Sequence, residues 1–287
     1  MSDVRDISVI HLVWLPYGID HFKVFINSYI NSEPNYKHQL IIAFNGMALE
    51  YPNKINEYLS FMETRNVKAD KCLYFDNGQD IEIYQKSAAA VNTKFVFIFN
   101  TFSEIGIKNW LKYYIDNFTD QVGVISATSS YQSNYSTVFQ THPFKWESAK
   151  GFLYNYRKYK LFIKALFYWR FLFKPYPNPH VRTTGFMVRR EEFLSINPGR
   201  INNKFKAYQF ESGRKGMTNY YLKKGLKVLV MDKFGKTYGP DEFKNSDTFW
   251  IGEQENLLVS DNQTRIYRDA DPAYRKLLTK LAWGINE

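Results

Sequence analysis

The chain has 287 residues, of which 45% are hydrophobic and 23% charged, with 38 basic against 28 acidic side chains and a formal charge of +10. This composition excludes a chain dominated by disorder and supplies a large core for about one or two domains. The positive charge, with 22 Tyr, 24 Phe and 6 Trp, points to an anionic partner.

In chain order, "ISVIHLVWLP" is a β-branched run ended by Pro16. The stretch after it places Phe22, Phe25, Ile26, Tyr29 and Ile30 at helical spacing, so a strand and then a helix are expected. "HQLIIAFNG" repeats the strand and closes in Asn45-Gly46, and "INEYLSFMETR" predicts a second helix. "KCLYFDNG" reads as a third strand, and "DIEIYQKSAAAVN" as a helix beginning at Asp80, whose charge suits the positive helix N-terminus. "KFVFIFN" is the fourth strand, "IKNWLKYYIDNF" a helix and "VGVISAT" the fifth strand. The alternation of greasy strands with helices predicts an α/β fold, a mostly parallel sheet covered by helices on both faces. Ligands of such sheets bind beyond the carboxyl ends of the strands. That rule selects "LPYG" (15–18), "FNG" (44–46), "DNGQD" (76–80) and "NTFS" (100–103).

The stretch "SATSSYQSNYST" reads as a long loop. It leads into "KYKLFIKALFYWRFLFKPYPNP". As a helix, that segment gathers Leu161, Phe162, Ala165, Leu166, Trp169, Leu172 and Phe173 on one face. Lys160, Lys164, Arg170 and Lys174 fall on the opposite arc, with Phe167, Tyr168 and Phe171 among them, and Pro175 and Pro177 end it. Two readings stand for it: a surface seated on an anionic membrane, or an ordinary amphipathic helix covering a sheet or a dimer contact. Beyond it, "VRTTGFMVRREEFLSI" predicts a strand followed by a helix from near Arg190. In the segment that follows, an acidic residue is expected to precede a helix that a glycine ends before a strand.

Cys72 is the single cysteine, so no internal disulfide forms and a reducing compartment is the simpler reading. His11, His21, His38, His142 and His180 lack the paired spacing of a zinc site. The first residues lack a signal-peptide pattern, and no run reaches the ~20 apolar residues that span a bilayer. The expected location is cytoplasmic, with peripheral attachment to the inner face of the cytoplasmic membrane as the variant.

"GFMVRREEF" (185–193), "FESG" (210–213) and "LKKGLKVLVMD", coming after the alternating half, carry a resemblance. The chain resembles GT-A-type nucleotide-sugar glycosyltransferases, similar to bacterial inverting enzymes of surface-polysaccharide synthesis, over about residues 7–232 as an order of elements. The fold this implies is a single GT-A-like, Rossmann-like domain with a helical, aromatic-rich insertion. Its parts would be a nucleotide-binding half (1–130), a loop and basic aromatic helix (131–180), an acceptor and catalytic half (181–240) and a C-terminal extension (241–287). The implied partners are a nucleotide-sugar donor and a glycan or lipid-linked acceptor, with peripheral contact on an anionic membrane and no nucleic acid.

The resemblance assigns Leu15, Pro16 and Tyr17 to the strand exit that contacts the nucleotide. Asn45 stands where relatives often carry a base-reading aspartate, and Asp76 and Asp80 fall near nucleoside-holding positions, with turn and cap roles as the alternative. Asn100-Thr101-Phe102 matches the metal-binding DxD turn yet lacks both carboxylates, which implies no required metal cofactor. Glu104 stands near enough in sequence to restore a weak Mn²⁺ or Mg²⁺ site. The diphosphate charge would then fall to cations among Lys86, Arg182, Arg189, Arg190 and Arg214, with Arg182 and Arg214 preferred. Each has a solvated surface charge as its alternative. Glu211 matches the acidic motif and would be the general base, its alternative being a stabilising acid at a helix N-terminus. Two other functions stay open: a GT-A-like scaffold without catalysis, and a nucleic-acid-binding protein.

Overall fold

The computed structural model describes residues 6–47, 52–141, 150–197, 199 and 201–284; His142 lies outside them. Its strands are β1 (Ile7–Trp14), β2 (Gln39–Asn45), β3 (Lys71–Phe75), β4 (Phe95–Phe99), β5 (Glu104–Ile105), β6 (Val122–Ser126), β7 (Ser129–Ser130), β8 (His180–Val181), β9 (Phe186–Arg189), β10 (Lys227–Met231), β11 (Thr237–Tyr238) and β12 (Val259–Ser260). Eight of them form one sheet in the order β11-β10-β6-β9-β4-β1-β2-β3. β1, β2, β3, β4, β6 and β10 run one way, while β9 and β11 run against them. The mostly parallel α/β sheet expected from the alternation is the fold found.

Helices on both faces explain why the strands are apolar nearly throughout. In β1, Ile10 and Leu12 join the core on one face, beside Ile81 and Tyr84 of the helix Asp80–Ala89 and Phe210 of the helix Lys204–Ser212. Val9 and Val13 point the other way, toward Phe22, Phe25 and Ile26 of the helix Asp20–Asn31 and toward Trp110 and Tyr114 of the helix Trp110–Asn117. This two-residue alternation is the strand period written into the sequence.

Two expectations change. "SATSSYQSNYST" is largely ordered: Ser129–Ser130 pairs with β8 and Asn134–Thr141 is helical. Its hydroxyls hold turns, with Ser133 Oγ donating to Lys174 O and Ser130 Oγ accepting from Gln132 N; such side-chain bonds are what makes the stretch resemble a loop in sequence. Glu211 does not open a helix. It sits in the last turn of Lys204–Ser212, and a glycine-bearing turn, Gly213 to Gly216, separates it from the next helix, Met217–Lys223.

The aromatic segment is helical from Phe152 to Leu172, with a π-helical stretch at Ala165–Trp169. Ala165 and the following Phe173 are buried, and Leu161, Phe162, Leu166, Trp169 and Leu172 are half-buried, so the expected apolar face does turn inward.

Candidate functional site

Because β1, β3 and β4 are parallel, their carboxyl ends open on one edge of the sheet. β9 is antiparallel and enters at that same edge, which brings Arg182, Thr183 and Thr184 beside the exit of β4. A cavity of about 410 Å³ lies there. Trp14 at the end of β1 and Tyr17 after it stand in its wall, Gly78 to Ile81 follow β3, and Asn100, Thr101 and Phe102 follow β4. Lys204, Tyr208 and Glu211 come down from the helix above, and Asp261 to Gln263 close the wall from the C-terminal part.

Tyr17, Asp80, Asn100, Thr101, Phe102, Arg182 and Glu211 therefore line one cavity. Tyr17 is 56% exposed, and its ring lies 5.1 Å from that of Phe102. Thr101 Oγ1 accepts from Trp14 N at 3.2 Å, tying the β1 and β4 exits together.

Other candidates lie elsewhere. Leu15 is buried in the core. Pro16 packs on Gly46, whose φ of +93° and 2.7 Å clearance to Pro16 Cδ leave no room for a side chain. Asn45 is buried and donates to Gly78 O at 3.0 Å, holding the base of the 76–80 turn. Asp76 is exposed, and its carbonyl accepts from Met47 N. Lys86 pairs with Glu82 at 2.7 Å on its own helix. Arg189 donates to Val122 O and Thr119 O, and Arg190 to Ala88 O, so both brace the scaffold. Arg214 bonds Arg170 O outside the cavity wall. Among the described residues the cavity wall carries Lys204 as well as Arg182, a lysine that sequence reasoning passed over.

Glu211 Oε1 accepts from Thr183 N at 2.8 Å and from Thr183 Oγ1 at 3.1 Å. An anion near a helix C-terminus faces the negative end of the macrodipole. Its position thus works against helix stability, and the role of a stabilising N-terminal acid is removed. Asp80 holds its proton more tightly than an ordinary carboxyl group: crowding by protein raises its pKa, Lys204 and its own N–H oppose that, and Glu211 adds to it. Behind this wall, burial lowers the pKa of His180 to about 4, against the pull of the Glu211 carboxylate and the Asn178 carbonyl.

The donors at the β4 exit do not fit a divalent cation, which needs several free oxygens with carboxylate charge among them. Asn100 Oδ1 already accepts from Phe102 N at 2.9 Å and Ser103 Oγ at 3.2 Å. Glu104, the nearest carboxylate in sequence, turns to Ser260 Oγ at 3.3 Å and Arg265 at 3.5 Å. Asp261 approaches Asn100 yet is saturated. Its Oδ2 accepts from Asn100 Nδ2 at 3.2 Å and Thr184 Oγ1 at 2.5 Å, and its Oδ1 caps the helix Asn262–Arg268 through Gln263 N and Thr264 N. Among the described residues no group of three or more His, Cys, Asp or Glu side chains is arranged to hold a metal.

Asp261 is thus the residue that fixes the β4 turn, and Asp261→Asn should cost about 1–3 kcal/mol of stability. The amide keeps one acceptor for the helix cap but sets N–H against the Asn100 N–H. Urea denaturation measures this; a variant as stable as the parent would mean that the contact carries little.

No family model matches the chain, and no curated protein matches it in sequence. Among solved structures, a 4-diphosphocytidyl-2C-methyl-D-erythritol synthase from Anaerococcus prevotii is similar at 8% identity and a TM-score of 0.44, over 79% of this chain and 86% of that one. Core-mannan synthase A from Aspergillus fumigatus is similar at 11% identity and a TM-score of 0.40, over 81% and 74%. A mannosyltransferase from Pyrobaculum calidifontis is similar at 8% and 0.34, over 43% of this chain and 36% of that one, so the match spans about a third of its length. With identities and scores this low, no activity is transferred from them.

Proposed function

We propose that the chain is a GT-A-type glycosyltransferase. It moves a sugar from a nucleotide-sugar donor to a glycan or lipid-linked acceptor in bacterial surface-polysaccharide synthesis, with inversion and without a required metal, in the cytoplasm against the inner membrane face. The observation that carries this reading is Glu211: a carboxylate kept at an unfavourable helix end, aimed by two bonds from Thr183, in the cavity that also holds Arg182, Lys204 and the β4 turn.

The donor would lie over the exits of the 1–130 half, its base or sugar against Tyr17 and Phe102 and its diphosphate toward Arg182 and Lys204. The acceptor hydroxyl would enter from the 181–240 half. Its proton passes to Glu211 as its oxygen bonds to the anomeric carbon, and the bond from that carbon to the diphosphate oxygen breaks on the opposite side. The nucleoside diphosphate leaves with the electron pair. A single displacement of this kind inverts the anomeric centre. The two cations offset the growing charge on the leaving group, the task that electrostatic preorganisation performs best in a partly dehydrated cleft.

A thermal-shift screen against UDP-, GDP-, CMP- and dTDP-sugars, with EDTA or with Mn²⁺, tests it. One donor should raise Tm equally in both. A rise confined to Mn²⁺ would refute metal independence. Silence toward every donor would favour the non-catalytic scaffold, which the hydrogen-bonded, carboxylate-free Asn100 turn keeps as the second reading. Stabilisation by oligonucleotides alone would make the protein a nucleic-acid binder.

A further inference from the structure

We propose that the outer face of the Phe152–Leu172 helical segment is a docking surface for an anionic lipid bilayer, coupled to the helix that carries Glu211. The docking stands on exposure and charge; its bearing on the acceptor rests on the transferase reading and deepens it.

Phe152, Phe167 and Phe171 are 73%, 65% and 62% exposed. Side chains of this size are normally withdrawn from water, and a cluster of them marks an interaction site. Lys160, Lys164 and Arg170 are exposed on the same segment, and the sequence from residue 148 to residue 190 contains no Asp or Glu. Apolar rings with cations at their flanks fit the boundary between acyl chains and lipid phosphates, where lysine stems extend along apolar surface and their ammonium groups stay wet. A second copy fits poorly, since two such faces would bring like charge together. Phenylalanine rings set among lysines favour burial in hydrocarbon over hydrogen-bonded reading of a nucleic acid. Among the described residues no helix is long and apolar enough to cross a membrane, so the segment would lie on the bilayer.

The inner side of the same segment is fastened to the site. Trp169 and Phe173 pack on Phe205, with ring centroids 5.0 and 5.7 Å apart. Phe173 bridges Gly213, and Arg214 N donates to Leu172 O at 2.7 Å. Gly213 is required by the turn itself, since a Cβ there would meet Gln209 O of the preceding helix at 2.3 Å. Phe205 and Gln209 belong to the helix Lys204–Ser212, which presents Lys204 and Glu211 to the cavity. A bilayer that orders the aromatic segment would order the base with it, which suits an acceptor that is itself an amphiphile held in the membrane.

The test is flotation of the full chain with vesicles of phosphatidylglycerol and phosphatidylcholine, against pure phosphatidylcholine, at low salt. The protein should float with the anionic vesicles only. The double variants Phe167→Ser/Phe171→Ser and Lys160→Glu/Lys164→Glu should each lose about tenfold or more in partitioning, with Tm and the donor-induced shift of the parent. Amide exchange over 204–212 should slow when anionic vesicles are added. Equal partitioning to neutral vesicles, indifference to both double variants, self-association through this face, or displacement to an oligonucleotide would overturn the docking. Unchanged exchange over 204–212 would remove the coupling. Donor binding is measured without vesicles and vesicle binding without donor, so a failure of the transferase reading is distinguishable from a failure of this one.

Discussion

Glu211→Gln is expected to lower turnover of sugar transfer about 10²–10⁴-fold, the range over which a positioned general base acts. Tm and the donor-induced thermal shift should stay close to those of the parent. Glutamine keeps a carbonyl oxygen that can accept from Thr183 N and Thr183 Oγ1, the two bonds that aim the carboxylate at 2.8 and 3.1 Å. What it loses is the capacity to take a proton. It also loses an anion from the last turn of Lys204–Ser212, where the helix dipole opposes negative charge, so the local effect on stability should be neutral or favourable. Loss of activity at constant stability is therefore the signature of a base, whereas a fall in Tm with activity retained would make Glu211 a structural acceptor for the Thr183 turn.

The sequence carried the alternation of strand and helix because both sheet faces are covered, and each strand exit was legible as an apolar run broken by polar or glycine residues. Tyr17, Asp80 and the Asn100 turn, which line the cavity, are singled out that way. The antiparallel entry of β9 between β4 and β6 was not legible, and it is what puts Arg182, Thr183 and Thr184 at the cavity. Lys204 was missed because surface lysines abound and its neighbour across the cavity, Asp80, is far away in sequence. Asp261 was missed for a sharper reason. It works as an N-cap, a local role that any "SDNQT" would suggest, while its bond to Asn100 joins residues 161 positions apart, which no local pattern encodes. The helix holding Glu211 was misplaced because its apolar residues do not gather on one face, and the polar, glycine-rich turn after it imitates a helix start.

His11 marks a second site where sequence pattern and chemistry part. The strand period places it inside β1, and it is fully buried, its ring stacked on Phe25 at 3.6 Å between centroids. Among the described residues neither ring nitrogen has a hydrogen-bond partner. Burial lowers its pKa from 6.5 to about 3, and His180 falls to about 4. Both folded values lie below the unfolded one, so the unfolded chain takes up protons first as pH falls. The stability these neutral rings contribute is full above about pH 7 and declines from pH 6.5 toward 4, by roughly 1.4 kcal/mol per pH unit for each histidine. His11→Leu, close in volume and free of polar atoms, should be at least as stable at pH 7, because two orphaned nitrogens are gone. It should also lose about half of the histidine contribution to the acid slope. Urea denaturation of parent and variant at pH 7, 5.5 and 4.5 reads this directly, since carboxylates titrate alike in both. Parallel acid limbs in the two proteins would mean that His11 is not neutral and dry in the native core, but reaches water or a proton there.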